Sequence, residues 1–413
     1  MRPSNRPWLP PYCHSDRFLP RFQEARDLFA RPPYLFADFV GRAYGFLAGE
    51  EAQKMGFEFS PEAAIPCHWK CADESLFGVD LSLFAATGLY PFGKGLIGGY
   101  FNESSLAPAV HHGPINIDFG GSHVGYRPDA DGGSFGEIWR PQQKDYASDC
   151  GHLMGLIQPF QALYNDACQR ILLFRPPGEE VLISLPNEFL QPAWSSGRIK
   201  LLVDLETLTN GQVEQEAARF QGHIPLTQSL FHAHPGFLEG LSPQEADRYS
   251  SPTPAPIGLN LSPPYFHLFD AQAELDNQGL PLKRLLAYMK YIVAAKETPP
   301  ALKVSLVNTS LEHHRLRQAV SAEAFLPYAF ASFSGVFIDL FDEEAGNYVN
   351  LFVPLALSLK PQGRPDLIEM GPQEIRRHLD RLTPTPPQTP LKKVLGLEAP
   401  ERILAWFTYQ PGN

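Results

Sequence analysis

The sequence predicts an α/β fold, in which buried strands alternate with amphipathic helices. The apolar run Ile115–Phe119 is typical of a short buried strand, and a helix begins soon after Ser148. Apolar residues recur at helical spacing in Phe36–Leu47 and again in Pro281–Glu297. Because α/β folds bind ligands at the carboxyl ends of their strands, the residues that follow Ile115–Phe119 are the first candidates for a site.

The composition limits what the chain can bind. It has 413 residues, of which 44% are hydrophobic, enough for one or two domains with a sizeable core. The formal net charge of -11 argues against non-specific binding to nucleic acid or to an anionic membrane. No apolar stretch approaches the roughly 18 residues of a membrane helix, and the N-terminus lacks the apolar core of a secretory signal. We therefore expect a cytoplasmic protein with no nucleic-acid or membrane partner.

The remaining elements are predicted from periodicity and from turn residues. A helix is expected from Arg17 to the Pro32-Pro33 pair, and another near Ile375–Arg381. Gly151–Cys168 also has a helical pattern, which Pro159 is expected to kink or divide. The predicted strands are Ile171–Phe174, Val181–Leu185, Leu201–Leu205 and Val304–Val307, with an antiparallel pair at Val336–Phe341 and Tyr348–Leu359.

Cys71, His123 and Cys150 form the sharpest candidate site. His123 follows the predicted strand, and Cys150 lies at the start of the next helix. Zinc prefers thiolate and imidazole ligands, and a catalytic zinc keeps three protein ligands and one open position. Asp73, two residues after Cys71, is placed to hydrogen-bond a water at that position. The plain alternative is that both cysteines are small buried core residues.

Other cysteines and histidines offer competing metal sites. The chain has five cysteines, an odd number and too few to staple 413 residues, which favours a reduced protein. Cys67 and Cys71 are spaced as Cys-x3-Cys and would form a structural zinc site with Cys150. The pair His111-His112 precedes the predicted strand, where a loop or supporting role is the plainer interpretation.

Three further histidine positions are interpreted as lying outside the set of ligands. His152 lies in the first turn of the predicted helix, where it caps the helix or supports the site. His232 and His234 have a spacing typical of ligands on a strand, but no cysteine or acidic partner is near them in sequence. The pair His313-His314 is predicted to be solvated on an exposed helix.

Two motifs carry a resemblance to a known family. Cys71-Ala72-Asp73 and Ser148-Asp149-Cys150-Gly151 resemble the Cys-x-Asp-x-Arg and Ser-x-Cys-Gly motifs of β-class carbonic anhydrases. Here His123 and Cys150 are 27 positions apart (150 minus 123), a separation similar to that in the limiting-CO2-inducible B protein family, close to the θ class. The segments Gly93-Lys94-Gly95, His111-His112 and Arg140-Pro141-Gln142 also match that family.

The resemblance covers roughly residues 60 to 360 and implies an architecture. It implies a β-carbonic-anhydrase-like central sheet, flanked by helices, within residues 61–360. Residues 1–60 are then an N-terminal helical region, and residues 361–413 a proline-rich C-terminal extension. A homodimer is also implied, because β-type enzymes form dimers.

The same resemblance implies a chemistry. Zn2+ held by Cys71, His123 and Cys150 would activate a water for the reversible hydration of CO2 to bicarbonate. Asp73 would orient the attacking oxygen. A histidine, either His112 or His152, would carry the proton away.

One position departs from the family pattern. Ser75 stands where Cys-x-Asp-x-Arg has its arginine, the residue that holds the aspartate off the metal. Arg127 or Arg140 is expected to supply that guanidinium from elsewhere, since both lie between His123 and Cys150. The alternative function is a catalytically silent zinc-binding scaffold that senses bicarbonate or binds a partner.

Overall fold

The chain divides into two compact units, one of residues 1–154 with 301–413 and one of residues 155–300. The predicted boundaries at residues 60 and 360 both lie inside the first unit, and the three-part division stays a prediction. The structure, a computed structural model, describes residues 32–128, 133–174, 177–178, 181–189, 199–203, 223–226, 252–256, 266–270, 285–286, 288–289, 292–293, 299–343 and 346–383. The helix predicted before Pro32-Pro33 lies outside these residues.

Helices and strands alternate along the described residues of the chain. The helices are α1 (Phe36–Leu47), α2 (Glu50–Lys54), α3 (Phe77–Thr87), α4 (Leu106–His112), α5 (Gly151–Arg170), α6 (Pro300–Val320) and α7 (Pro372–Leu379). The strands are β1 (Tyr34–Leu35), β2 (Ala64–Lys70), β3 (Phe92–Gly93), β4 (Ile115–Gly121), β5 (His123–Arg127), β6 (Ser134–Phe135), β7 (Glu137–Arg140), β8 (Asp145–Ser148), β9 (Leu172–Phe174), β10 (Val181–Ser184), β11 (Ile199–Val203), β12 (His223–Leu226), β13 (Ala255–Pro256), β14 (Phe266–Asp270), β15 (Ala329–Asp342), β16 (Asn347–Lys360) and β17 (Ile368–Met370).

A mixed sheet forms the centre of the first unit. Its strand order is β1-β16-β15-β4-β2-β3, with β17 beside β16 and β5 beside β15. Strand β4 runs parallel to β2 and β15, whereas β15 and β16 are antiparallel. The predicted α/β class is confirmed, as are the hairpin at Val336–Phe341 and Tyr348–Leu359 and the helix at Phe36–Leu47.

Helices cover both faces of this sheet, and alternate residues of β15 face opposite layers. On one face, Phe333 stacks on Phe119 of β4 with ring centroids 5.3 Å apart, and both rings contact Phe39 of α1. On the other face, Phe330 packs in an apolar cluster with Leu316 of α6. The sheet is therefore covered on both sides.

Two sequence predictions that fall in helix α6 are wrong. The residues predicted as a strand at Val304–Val307 lie inside this helix. Most of α6 is buried, so its apolar residues do not mark one face and a valine-rich run resembles a strand. His313, predicted to be solvated, is 3% exposed and hydrogen-bonds Ser334 at 2.5 Å and Ser358 at 3.0 Å.

The junction between β4 and β5 depends on two facing glycines. Gly121 has a φ of 152°, and a Cβ there would collide with the carbonyl oxygen of Gly335 on β15. Ser122 follows, and its N–H donates to Thr309 Oγ1 of α6 at 2.9 Å. The chain then resumes at His123 as β5, parallel to β15. This close approach fixes the backbone from which His123 projects.

The second unit has small antiparallel sheets in the part that the structure describes. Their orders are β12-β10-β9-β13 and β11-β14. The strands predicted at Ile171–Phe174, Val181–Leu185 and Leu201–Leu205 correspond to β9, β10 and β11 with slightly different bounds. Helix α5 passes through Pro159 without dividing.

Candidate metal centre

Three donor atoms meet where β2, β5 and α5 come together. Cys71 directly follows β2, His123 is the first residue of β5, and Cys150 directly precedes α5. One ligand atom from each lies within 4.8 Å of the others. All three residues are buried, with exposed fractions of 4% or less. The sequence prediction named this set, and the fold brings it to one point.

A hydrogen bond joins the side chains of Cys71 and Cys150. The hydrogen bond from Cys150 lowers the pKa of Cys71 to about 3, and the same bond, together with burial, raises the pKa of Cys150. The N–H of Gly98 also donates to Cys71 Sγ at 3.1 Å. Gly98 has a φ of 80°, and a Cβ there would lie 3.1 Å from the His152 ring. The loop that contains Gly98 therefore closes over the Cys71 sulfur.

His123 presents one ring nitrogen to carboxylates and the other to the sulfurs. Its Nδ1 lies 2.8 Å from Asp339 Oδ2 and 3.1 Å from Asp149 Oδ2. Burial lowers the pKa of His123, but the charge and hydrogen bond of Asp149 and the bond to Asp339 raise it well above the usual value. Its Nε2 is buried and has no hydrogen-bond partner. That nitrogen lies beside two thiols and could serve as a metal ligand.

Arg140 contacts Asp73 with a bidentate pair of hydrogen bonds. Nη1 donates to Asp73 Oδ1 at 3.0 Å, and Nη2 donates to Asp73 Oδ2 at 3.1 Å. Nη1 also donates to Glu74, and Nη2 to the carbonyl oxygen of Asp149 at 3.0 Å. Burial raises the pKa of Asp73, but the bonds from Arg140 outweigh it and bring that pKa to about 2. Asp73 is thus an ionised carboxylate within 4.8 Å of a His123 nitrogen.

Ser75 has a different partner. Its Oγ donates to Asp339 Oδ2 at 2.8 Å, and Asn350 Nδ2 donates to Asp339 Oδ1 at 2.8 Å. The backbone N–H of Ser75 donates to Asp73 Oδ1 at 3.0 Å, because Asp73 caps the short 3-10 turn Glu74–Leu76. The hydroxyl of Ser75 therefore supports Asp339, the carboxylate that contacts His123.

Arg127, the other candidate guanidinium, lies elsewhere. It pairs with Glu137 at 3.3 Å, and both side chains are exposed by 44% and 50%. Its guanidinium also lies over the Tyr146 ring, 4.5 Å from the centroid. Arg127 and Arg140 were both expected to replace the arginine that is missing at position 75. Of these two residues, only Arg140 contacts Asp73.

The remaining candidate residues take different positions. His152 is half-buried and its Nε2 lies 3.1 Å from the hydroxyl of Tyr100, beside the Gly98 loop. His111 and His112 are exposed at the end of α4, where the His112 ring contacts Phe92. Cys67 is fully buried and belongs to neither of the two groups among the described residues that could hold a metal ion. His232 and His234 lie outside those residues.

The donor set fits zinc. Tetrahedral zinc with bonds of about 2.3 Å to sulfur needs sulfurs about 3.8 Å apart, a spacing that the observed cluster reaches with small shifts. Two thiolates would balance the charge of Zn2+, and the unpartnered His123 Nε2 would gain a partner. A second group, of Asp73, His123 and Asp149, also lies within 4.8 Å. Arg140 already occupies both oxygens of Asp73, so that group has fewer free donors.

Sequence reasoning missed two carboxylates beside His123. Asp149 was quoted only as the unspecified residue of the Ser-x-Cys-Gly motif, yet its side chain is fully buried. Asp339 is fully buried in the carboxyl-terminal part of β15. The signal for it was available, since a single aspartate inside an apolar strand is seldom buried without a polar partner.

Comparison with known proteins gives one consistent likeness. No family model and no curated protein matches the chain. Among solved structures it is similar to PtLCIB4, "a homolog of the limiting CO2-inducible protein LCIB", with 11% identity and a TM-score of 0.42 over 79% of this chain and 93% of the other. It is also similar to LCIB, with 11% identity and a TM-score of 0.39 over 86% and 98%. At such TM-scores no residue role is carried over.

Proposed function

We propose that this protein binds zinc through Cys71, His123 and Cys150 and catalyses the reversible hydration of CO2 to bicarbonate. One observation carries the proposal: an arginine-held aspartate, Asp73, lies beside a buried set of two thiols and an imidazole. Three such ligands leave the fourth position of a tetrahedral zinc free for water. Bound zinc would acidify a water there, which supplies the nucleophile for CO2.

Asp73 is the residue proposed to orient the reacting oxygen. Its two oxygens accept from Arg140, and this fixes the carboxylate as an ionised acceptor. Arg140 also holds Asp73 away from direct ligation, the role of the arginine missing at Ser75. The guanidinium comes from β7 instead of the segment that follows Cys71.

His152 is the proposed carrier of the released proton. It lies in the first turn of α5, two residues after Cys150, and is half-buried. Its ring is in contact with Tyr100 and with the Gly98 loop. His112 is the weaker candidate, because it is exposed at the end of α4 and contacts Phe92.

Stopped-flow CO2 hydration with a pH indicator, combined with metal analysis, tests this function. We expect about one zinc per chain and hydration that disappears when zinc is removed by a chelator and returns when zinc is added. Zinc at one per chain with no hydration across a range of pH would overturn the enzymatic proposal. That result would favour the alternative of a zinc-binding scaffold.

The homodimer also remains a proposal. The large exposed hydrophobic residues of the described chain all fall between residues 77 and 97, in and after α3. They are Phe77, Phe84, Leu89, Tyr90, Leu96 and Ile97. Exposed hydrophobic side chains that gather in one region of the surface are typical of an interface between proteins. Light scattering of the wild type and of the Tyr90→Glu variant measures the oligomeric state, and a monomeric wild type would contradict the proposed homodimer.

No helix among the described residues is long and apolar enough to span a bilayer.

A further inference from the structure

The carboxylate of Asp339 receives three hydrogen bonds from three separate segments. His123 Nδ1 and Ser75 Oγ each lie 2.8 Å from Oδ2, and Asn350 Nδ2 donates to Oδ1 at 2.8 Å. Asn350 Nδ2 also donates to the carbonyl oxygen of Ser75 at 2.8 Å. Asp339 and Ser75 are fully buried, and Asn350 is 6% exposed. These four residues form one hydrogen-bonded network, which includes His123 of the metal set (Cys71, His123 and Cys150).

Strand pairing makes this network rigid. Asp339 pairs with Gly125 of β5 in parallel register, two residues beyond His123, and with Asn350 of β16 in antiparallel register. The imidazole and the carboxylate therefore come from neighbouring strands of one sheet. The carbonyl oxygen of His123 is fixed as well, by Ser305 Oγ of α6 at 2.9 Å.

We propose that Asp339 and Ser75 are positioning residues for His123, holding the proton on Nδ1 so that Nε2 faces Cys71 and Cys150. The hydrogen bond between Nδ1 and Asp339 fixes the orientation of the ring, and a metal that replaces the proton on Nε2 would bind the lone pair of that nitrogen. Ser75 fixes the carboxylate by donating to the same oxygen. This inference rests on the zinc site of the proposed function.

The inference gives position 75 a task different from the one that the family pattern implies. A guanidinium at this buried position would lie against Asp339 and compete with His123 for its oxygens. Serine has one donor and little volume, so it supports Asp339 without displacing the imidazole. Arg140 then holds Asp73 from the other side. With serine at position 75, Arg140 contacts Asp73 and Ser75 contacts Asp339, so two residues take the place of the single arginine of the family pattern.

Zinc affinity of Asp339→Asn, Ser75→Ala and the double variant tests the proposal. Affinity is measured by competition with a chromophoric chelator, and the visible absorption of the Co2+ form reports the ligand geometry. We expect Asp339→Asn to lose about 10- to 100-fold in zinc affinity, because its amide must present an N–H to some of the three donors. Ser75→Ala should lose less. The double variant should lose less than the product of the two single losses.

Asp342→Asn is the matched control, because Asp342 lies on the same strand and is 7% exposed. Its zinc affinity should equal that of the wild type, and thermal melts should show that all four variants fold. Wild-type affinity and cobalt spectra in both Asp339→Asn and Ser75→Ala would overturn the inference, even with CO2 hydration intact. A wild type that binds zinc but hydrates no CO2 would overturn the proposed function alone. A wild type that binds no zinc would overturn both.

Discussion

Two buried polar clusters of the first unit differ in how completely their groups are paired. In one, Lys94 Nζ lies 2.9 and 3.1 Å from the two oxygens of Asp118 and 3.0 Å from Asn116 Oδ1. The other, the candidate metal centre, has a ring nitrogen of His123 with no hydrogen-bond partner and two thiols beside it. The closed cluster balances one positive and one negative charge. The open cluster has donors left over, which is what a ligand requires.

The same difference separates what each cluster contributes. Burying Lys94 lowers its pKa, but Asp118 raises it further, so the lysine stays charged and its pairing stabilises the fold. Burial raises the pKa of Asp149 to about 6 despite His123 beside it. A buried carboxylate that is not fully paired costs stability. The closed cluster therefore pairs its charges internally, whereas the open one keeps groups that could hold a metal ion.

The largest expected effect is the loss of metal from Cys150→Ser. A hydroxyl is a far poorer zinc ligand than a thiolate, so we expect most of the zinc to be lost after dialysis. Metal analysis by mass spectrometry measures it. Cys168→Ser is the control, since Cys168 is also buried on α5 but is not in the metal set. Full zinc content in Cys150→Ser would remove this residue from the site.

Breaking the closed cluster should affect stability instead of metal content. Lys94→Met leaves Asp118 as an unpaired buried charge, and we expect a loss of about 3–5 kcal/mol in the free energy of unfolding. Urea denaturation measures it. Lys54→Met, at an exposed side chain, should change stability little. Equal stability of the two variants would contradict the contrast between the clusters.

Within the open cluster, Asp73→Ala should separate catalysis from binding. We expect hydration to fall about 10²- to 10⁴-fold, because the oriented acceptor is lost, while zinc stays bound. Steady-state rates at saturating zinc give the first number, and chelator competition the second. Asp366→Ala, at an exposed position, should change neither. If Asp73→Ala retains wild-type rates, Asp73 has no catalytic part.

The smallest expected effect belongs to Arg140→Lys. An ammonium cannot make the bidentate contact with Asp73, so we expect hydration to fall about 10-fold with zinc affinity unchanged. Arg127→Lys, at an exposed ion pair, should keep the wild-type rate. A larger loss in Arg127→Lys than in Arg140→Lys would reverse the assignment made from the structure.

The sequence predicted elements whose pattern depends on one buried face. Helix Phe36–Leu47 was found within its predicted bounds, because its apolar residues recur at helical spacing. The strand at Val304–Val307 was wrong because α6 is buried around most of its surface, and periodicity then carries little information. The burial of His313 was also missed. Its hydrogen-bond partners, Ser334 and Ser358, come from β15 and β16, and a single sequence does not show which strands pack against the helix.

The sequence motifs predicted which residues form the candidate site, but they did not predict the contacts that depend on the folded arrangement of the strands. Cys71, His123 and Cys150 were named from residue types and family spacing. The choice between Arg127 and Arg140 stayed open, because it depends on where β7 lies relative to the turn after Cys71. The pairing of Asp339 with His123 spans 216 positions and depends on strand register, which a single sequence does not give.

The glycine contact between Gly121 and Gly335 bears on how this chain tolerates change. Any side chain at Gly121 would meet the carbonyl oxygen of Gly335, and one at Gly335 would meet Val353 and Phe352. A library of all single substitutions should therefore score both positions as intolerant, although neither belongs to the metal set. In a directed-evolution campaign they are positions to hold constant, and a screen that equates intolerance with catalysis would count them falsely as part of the active site.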